Sequence, residues 1–235
     1  MSTFFLRRHV YVCFVQDQAI FLDVRRDKYL GLGGKQLQGL ATVVSGWPPH
    51  SQPLPHEEAE RIGDLFVREG LLTREPSEGK TEAPANLDLS AFMTSIDEDF
   101  DARREIRPRD VYNFLRSCAA ATWAVKWRPL ESTVNAILSR KQQATQHNPP
   151  FDMRSAAELV DIFRRLRCYL FSARDHCLFH SIALVNFLAL YGLYPSWVIG
   201  VRTAPWGAHS WVQEGTQVLD ATPEEVRFYT PILVI

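Results

Sequence analysis

Cys177, His209 and Asp220 are by type a nucleophile, a base and an orienting acid, the set that acyl transfer through a thioester requires. Asp175 is a preferred N-cap type. A helix beginning there puts His176 and Cys177 in its first turn, where unpaired backbone N–H groups and the helix dipole favour a thiolate. A free thiol titrates near pH ~8.5, and such surroundings bring it to roughly 3.5–7.5. His209 falls in the strand-like run Ala208–Gln213. Glu214 and Gly215 read as a two-residue hairpin loop, which pairs Gln213 with Thr216 and sets His209 directly opposite Asp220. Cross-strand partners share a face with β-carbons about 4.5–5.5 Å apart, so Asp220 can hold one imidazole nitrogen and leave the other for sulfur. A three-residue loop would shift the register by one and undo this arrangement.

Other chemistry-bearing residues read more plainly. Cys13, Cys118 and Cys168 sit inside apolar strand or helix patterns and read as small buried hydrophobes. His176 and His180 have the i, i+4 spacing of helical metal ligands, but no third ligand completes a set, and no metal or other cofactor is expected. Gly31, Gly33, Gly34 and Lys35 superficially suggest a phosphate loop. Tyr29 and Gln36 occupy the positions that need Gly and Ser or Thr, so a strand-to-helix turn is the better reading. Arg164, Arg165 and Arg167 read as a solvated helix face, and Trp123, Trp127, Trp197 and Trp211 as core.

The elements that must position these residues follow from periodicity. Val10–Val15, Ala19–Val24 and Lys28–Leu32 are short β-rich runs. Gly34–Val44 and Pro55–Glu69 then carry apolar residues at helical spacing. The polar, Pro- and Glu-containing stretch Thr73–Asn86 marks a domain boundary. Beyond it, helices are predicted from Pro108, with Val111, Tyr112, Phe114, Leu115, Cys118 and Trp123 on one broad face, and over Leu130–Leu138 and Ala156–Leu170. A helix from about Asp175 stops at Gly192, and Ser196–Val201, Ala208–Gln213 and Gln217–Asp220 read as strands. The fold class is α+β.

Composition narrows the function classes. The 235 residues are 46% apolar and 23% charged, with 26 basic against 27 acidic side chains, so collagen-like, disordered and supercharged nucleic-acid-binding classes are excluded. A net charge of −1 gives no overall pull on a polyanion or an anionic membrane. Four scattered cysteines without a CxxC pair suit reduced thiols in the cytoplasm. The uncharged run Cys177–Val201 contains His180, Asn186, Gly192 and Pro195. Its helical part would reach about 22 Å, short of a ~30 Å hydrocarbon layer, so no membrane insertion is expected.

The segment CLFHSIALVNFLALYGLYPSWVIGVRTAPWGAHSWVQEGTQVLDA, residues 177–221, with the terminal VRFYTPILVI, resembles the leader-peptidase part of the B protein of lasso-peptide maturation. The matching pieces are Cys177 with Leu178, Val198–Val201, Ala208–Val212 and Asp220; where members often carry a basic residue three positions after the Cys, this chain has His180. YVCFVQDQAIFLDVRRDKYLGLGG and the two helices after it are similar to the PqqD-type peptide-recognition module. The resemblance implies a winged-helix-like leader-recognition domain over residues 1–80, a linker and lead-in over 81–107, and a transglutaminase-like, papain-like cysteine peptidase over 108–235. It implies a Cys177–His209–Asp220 triad, a precursor leader peptide as substrate, and a partner cyclase resembling asparagine synthetase. The leader would add as a strand beside Lys28, Tyr29, Leu30 and Leu32, with Leu65 and Phe66 on the helical wall. A transglutaminase-like acyltransferase and a leader-binding protein without turnover remain alternatives.

Overall fold

Apolar β-rich runs between residues 10 and 33 build a meander that two helices follow. The structure, a computed structural model, describes residues 3–80, 93–96, 104–145, 151–168 and 177–235. Asp175, His176 and positions 81–86 of the expected linker lie outside these. The chain divides into two compact units, Met1–Leu87 with Thr230–Leu233, and Asp88–Tyr229 with Val234–Ile235.

In the first unit, strands β2 (Val10–Val15), β3 (Gln18–Asp23) and β4 (Lys28–Gly33) form an antiparallel meander with β4 at one edge. Asp23 is buried but satisfied: its Oδ1 accepts the N–H groups of Arg25 (3.0 Å) and Arg26 (3.2 Å), which shapes the turn into β4. Helices α1 (Gly34–Val43) and α2 (His56–Arg68) follow. Pro55 stands at the N-cap position of α2, with Glu57 and Glu58 in the first turn and Arg68 in the last, each charge on the favourable side of the dipole. Phe4, Phe21, Leu40, Trp47, Phe66 and Leu72 centre one core, and α2 approaches so closely that a Cβ at Gly63 would lie 2.6 Å from the Phe4 ring. Three strands not expected from the sequence, β1 (Phe5–Arg7), β5 (Leu72–Thr73) and β6 (Gly79–Lys80), make a small sheet in the order β5–β1–β6. Thr73 and Gly79–Lys80 thus pair with β1, with a turn between them, where the composition suggests the start of a linker.

In the second unit, helix α3 (Pro108–Trp127) begins with Pro in its first turn, and the Asp110 carboxylate accepts the Arg107 N–H at 2.8 Å. Helices α4 (Leu130–Thr145) and α5 (Met153–Arg167) follow; Asp152 caps α5 through the N–H groups of Arg154 and Ser155. Helix α6 (Cys177–Ala189) is apolar on nearly every side and packs against α3, α5 and strands β8 (Ser196–Thr203) and β9 (Trp206–Glu214). Gly192, at φ +80°, turns the chain out of it. The second unit's sheet runs β8–β9–β10–β7, where β7 is Thr94–Ser95 and β10 is Gln217–Val218; the last strand of the chain is β11 (Thr230–Val234). Short helix α7 (Pro223–Val226) precedes β11.

The face expected for α3 is corrected. Phe114 and Cys118 are buried, but Tyr112 is 65% exposed and Trp123 60%, and Val111 and Leu115 are exposed as well. The inward stripe is Asp110, Asn113, Phe114, Ser117, Cys118 and Ala121, whose small members let α6 come close. Asp110 is tolerated there because Arg104 (2.9 Å) and the Tyr191 hydroxyl (2.6 Å) donate to it. Trp127 is exposed, while Trp197 and Trp211 are core, as read from the sequence.

Candidate active site

Cys177 opens α6 and is half-buried. Burial pushes the Cys13 thiol up to about 12 and the Cys118 thiol up to about 11, so both stay protonated and inert at neutral pH. Cys168 is exposed at the end of α5 rather than inside an apolar face, which corrects its reading.

One turn along α6 from Cys177, Ser181 meets β9. Its Oγ lies 2.7 Å from Ser210 Oγ, and the Trp197 indole N–H reaches both, at 2.9 and 2.8 Å. All three residues are buried. Neither serine stood out in the sequence, although the positions gave a signal: one lies at i+4 from the cysteine and the other next to the histidine.

His209 pairs across β8 with Gly200. Strand neighbours alternate in direction. Ser210 turns to α6, and His209 packs with Trp211 (5.9 Å between ring centres) and Tyr229 (5.3 Å). Burial lowers the imidazole's affinity for a proton, Glu225 opposes that, and Arg202 adds to it, leaving the ring below its ordinary range. A neutral ring at neutral pH is the form a general base needs. Its Nε2 is buried and, among the described residues, has no hydrogen-bond partner.

Asp220 follows β10. Its Oδ1 accepts the Val212 N–H at 2.8 Å, while the Leu219 N–H donates to the Val212 carbonyl at 2.9 Å. The expected hairpin register is corrected here. Gln217 pairs with Glu214 and Val218 with Gln213, so the loop is Gly215–Thr216 and every pair moves by two residues. Gly215 takes φ +54°, which suits it to that tight turn. A shift of two preserves the face but takes Asp220 out of direct opposition to His209. Burial pushes the Asp220 carboxyl up to about 7, opposed by the Val212 N–H and by the charges of Arg164 and Arg167. Arg164 thus departs from the solvated face expected of it, because its Nη2 donates to the Leu219 carbonyl at 2.7 Å. Among the described residues, no hydrogen bond or ion pair joins Cys177 to His209 or His209 to Asp220.

No group of three or more His, Cys, Asp or Glu side chains suited to a metal ion occurs among the described residues. His180 packs edge-on against Phe179, 5.4 Å between ring centres.

The transglutaminase-like superfamily model matches residues 102–234, a span that includes Cys177, His209 and Asp220. The chain belongs to the transglutaminase-like superfamily. Its second unit is thus a mixed α/β domain of a class that often contains cysteine peptidases or acyltransferases, preceded by a β-rich region. Comparison of this superfamily member with the curated proteins and with the solved structures gives no match. Among the described residues, no helix is long and apolar enough to cross a membrane.

The residues expected to receive a leader divide in two. Leu30 on β4 and Leu65 on α2 are exposed, Lys28 is exposed and Tyr29 half-buried. Leu32 and Phe66 are core, with Phe66 stacked on Phe21 at 6.1 Å.

Proposed function

We propose that this transglutaminase-like chain is a cytoplasmic leader peptidase of lasso-peptide maturation. The superfamily match across the residues that carry Cys177, His209 and Asp220 is the observation that carries this reading. A PqqD-like, winged-helix-like recognition domain over 1–80 would bind the precursor leader, and 81–107 would connect it to the peptidase over 108–235. The open edge of β4, with exposed Leu30, supports strand addition there.

In the proposed reaction His209 takes the Cys177 proton, and sulfur attacks the carbonyl carbon of the last leader residue. The C–N bond breaks as His209 returns the proton to the departing core amine, leaving the leader as a thioester. Water, deprotonated by His209, attacks the thioester; sulfur leaves and the leader departs as a carboxylate. The freed amine is the group that a cyclase resembling asparagine synthetase would join to a side-chain carboxyl. Cys177 and His209 must close on the scissile amide for this to occur.

A second reading, a leader-binding protein without turnover, is favoured by one observation: no hydrogen bond joins Cys177 to His209. One experiment separates the two. Precursor peptide is incubated with wild-type, Cys177→Ala, His209→Ala and Asp220→Asn protein, and products are weighed by mass spectrometry. Leader released as a free acid by wild type, and lost in folded Cys177→Ala and His209→Ala, supports the peptidase. Transfer of the leader to an added amine identifies the acyltransferase alternative, and binding without any product identifies the inactive one.

A further inference from the structure

Asp220 is held from two directions. From β9, the Val212 N–H donates to its carboxylate at 2.8 Å and the Val212 carbonyl accepts the Leu219 N–H at 2.9 Å. From α5, the Arg164 guanidinium donates to the Leu219 carbonyl at 2.7 Å, across 55 residues of sequence. The three arginines at the end of α5 are therefore not equivalent. Arg165 pairs with Asp161 at 2.9 Å and donates to the Arg104 carbonyl. Arg164 and Arg167 lie three residues apart, on one side of the helix, and both act on Asp220.

We propose that Arg164 is a positioning residue for Asp220: it fixes the backbone one residue before the carboxylate and lays a permanent positive charge beside it. The proposal rests on the peptidase reading only for why an ionised Asp220 is useful, since a neutral acid cannot stabilise an imidazolium. Among the described residues, the charges acting on Asp220 are those of Arg164 and Arg167, and the neutral donors are the Val212 N–H and the N–H of Asp220 itself. Burial works against ionisation and the arginines work for it. Removing one cation therefore moves the balance toward the protonated acid. Arginine suits the task because its fork can hold a carbonyl and keep its charge at any working pH.

The test uses the full chain labelled with 13C at aspartate carboxyls, with the Asp220 resonance assigned by its loss in Asp220→Asn. Titration from pH 5 to 9 follows wild type, Arg164→Lys, Arg164→Gln and Arg164→Met. The Met variant matches the aliphatic stem and keeps the test alive if Gln does not fold. The Asp220 midpoint should rise by about one pH unit, a tenfold change in proton affinity, in the Gln or Met variant, and Lys should restore most of the wild-type midpoint. With a peptide that wild type cleaves, the acid limb of the rate profile should move up by the same amount and KM should stay within twofold. An unchanged Asp220 midpoint in a folded Gln or Met variant overturns the proposal. A midpoint that moves, in a protein that cleaves nothing at any pH, supports the role of Arg164 and removes the peptidase reading instead.

Discussion

The hydroxyl oxygens of Ser181 and Ser210 lie 2.7 Å apart between α6 and β9, and the protons around them can be assigned by counting. The Ser181 hydroxyl donates to the Leu178 carbonyl at 3.1 Å, so the proton between the two serines belongs to Ser210. Ser181 then accepts from both Ser210 and Trp197, which uses both of its lone pairs. The chain of bonds ends on the carbonyl next to Cys177 and ties the first turn of the nucleophile's helix to the strand that carries His209.

Ser181→Ala and Ser210→Ala should each destabilise the fold by about 1–3 kcal/mol, because each strands or weakens a buried polar group. The double variant should cost less than the sum of the singles, since the second change removes a partner already lost. Urea unfolding of the four proteins checks this, and strictly additive losses would show that the hydroxyls act independently.

Stability should also depend on the Asp220 proton. Its carboxyl titrates near 7 in the folded chain, against an ordinary 3.8. Below about pH 3.8 both folded and unfolded chains hold the proton, and this group contributes nothing. As pH rises from about 3.8 to 7 the unfolded chain releases a proton that the folded chain keeps. Stability is lost through that window, and the whole cost remains above it. Asp220→Asn should therefore stabilise the protein at pH 8, by on the order of 1–4 kcal/mol, and leave it nearly unchanged near pH 3.5. His209 works the other way: its proton affinity is lowered by burial, so the stability it contributes is lost as pH falls through its ordinary titration range. Unfolding curves for both proteins at several pH values measure these effects.

Gly200→Ala tests how the histidine is seated. A Cβ at position 200 would lie 2.7 Å from ring carbons of Trp211 and 2.9 Å from Tyr229 Cβ, and those two rings pack on His209. Alanine should destabilise the domain by about 1–3 kcal/mol, the usual cost of overpacking, and move the His209 titration measured by NMR. An unaltered titration would mean that the rings yield without disturbing the imidazole.

Local chemistry made the long elements legible. The expected bounds of β2 agree with the structure to the residue, as does the start of α3 at Pro108, and the stop expected at Gly192 lies three residues beyond the end of α6 at Ala189, because alternation, proline and glycine act over a few residues. The two-residue pairings β5, β6 and β7 were not legible, since nothing in a dipeptide such as Leu72–Thr73 names a distant partner. The inward face of α3 was misread for a related reason. Counting apolar bulk favours Tyr112 and Trp123, whereas the close approach of α6 selects Ser117 and Ala121. At the candidate site the residue types and chain order stood in the sequence, but the placing of the hairpin loop did not. Either Glu214–Gly215 or Gly215–Thr216 satisfies a glycine-containing turn, and the structure takes the second. Arg164 was missed because a run of arginines carries no mark of which member reaches a carbonyl 55 residues away.

The position of β4 at the rim of its sheet bears on handling the protein as a reagent. An unfilled ladder accepts any extended backbone, including a second β4, and Leu30 adds a 41%-exposed apolar contact to such a pairing. Lys28 is the one charge on that strand, so like-charge repulsion between two copies is slight. Concentrated stocks should consequently drift toward edge-to-edge oligomers, with a peptide that occupies the rim acting as a solubiliser. Light scattering during storage would then report how much of the rim stands open.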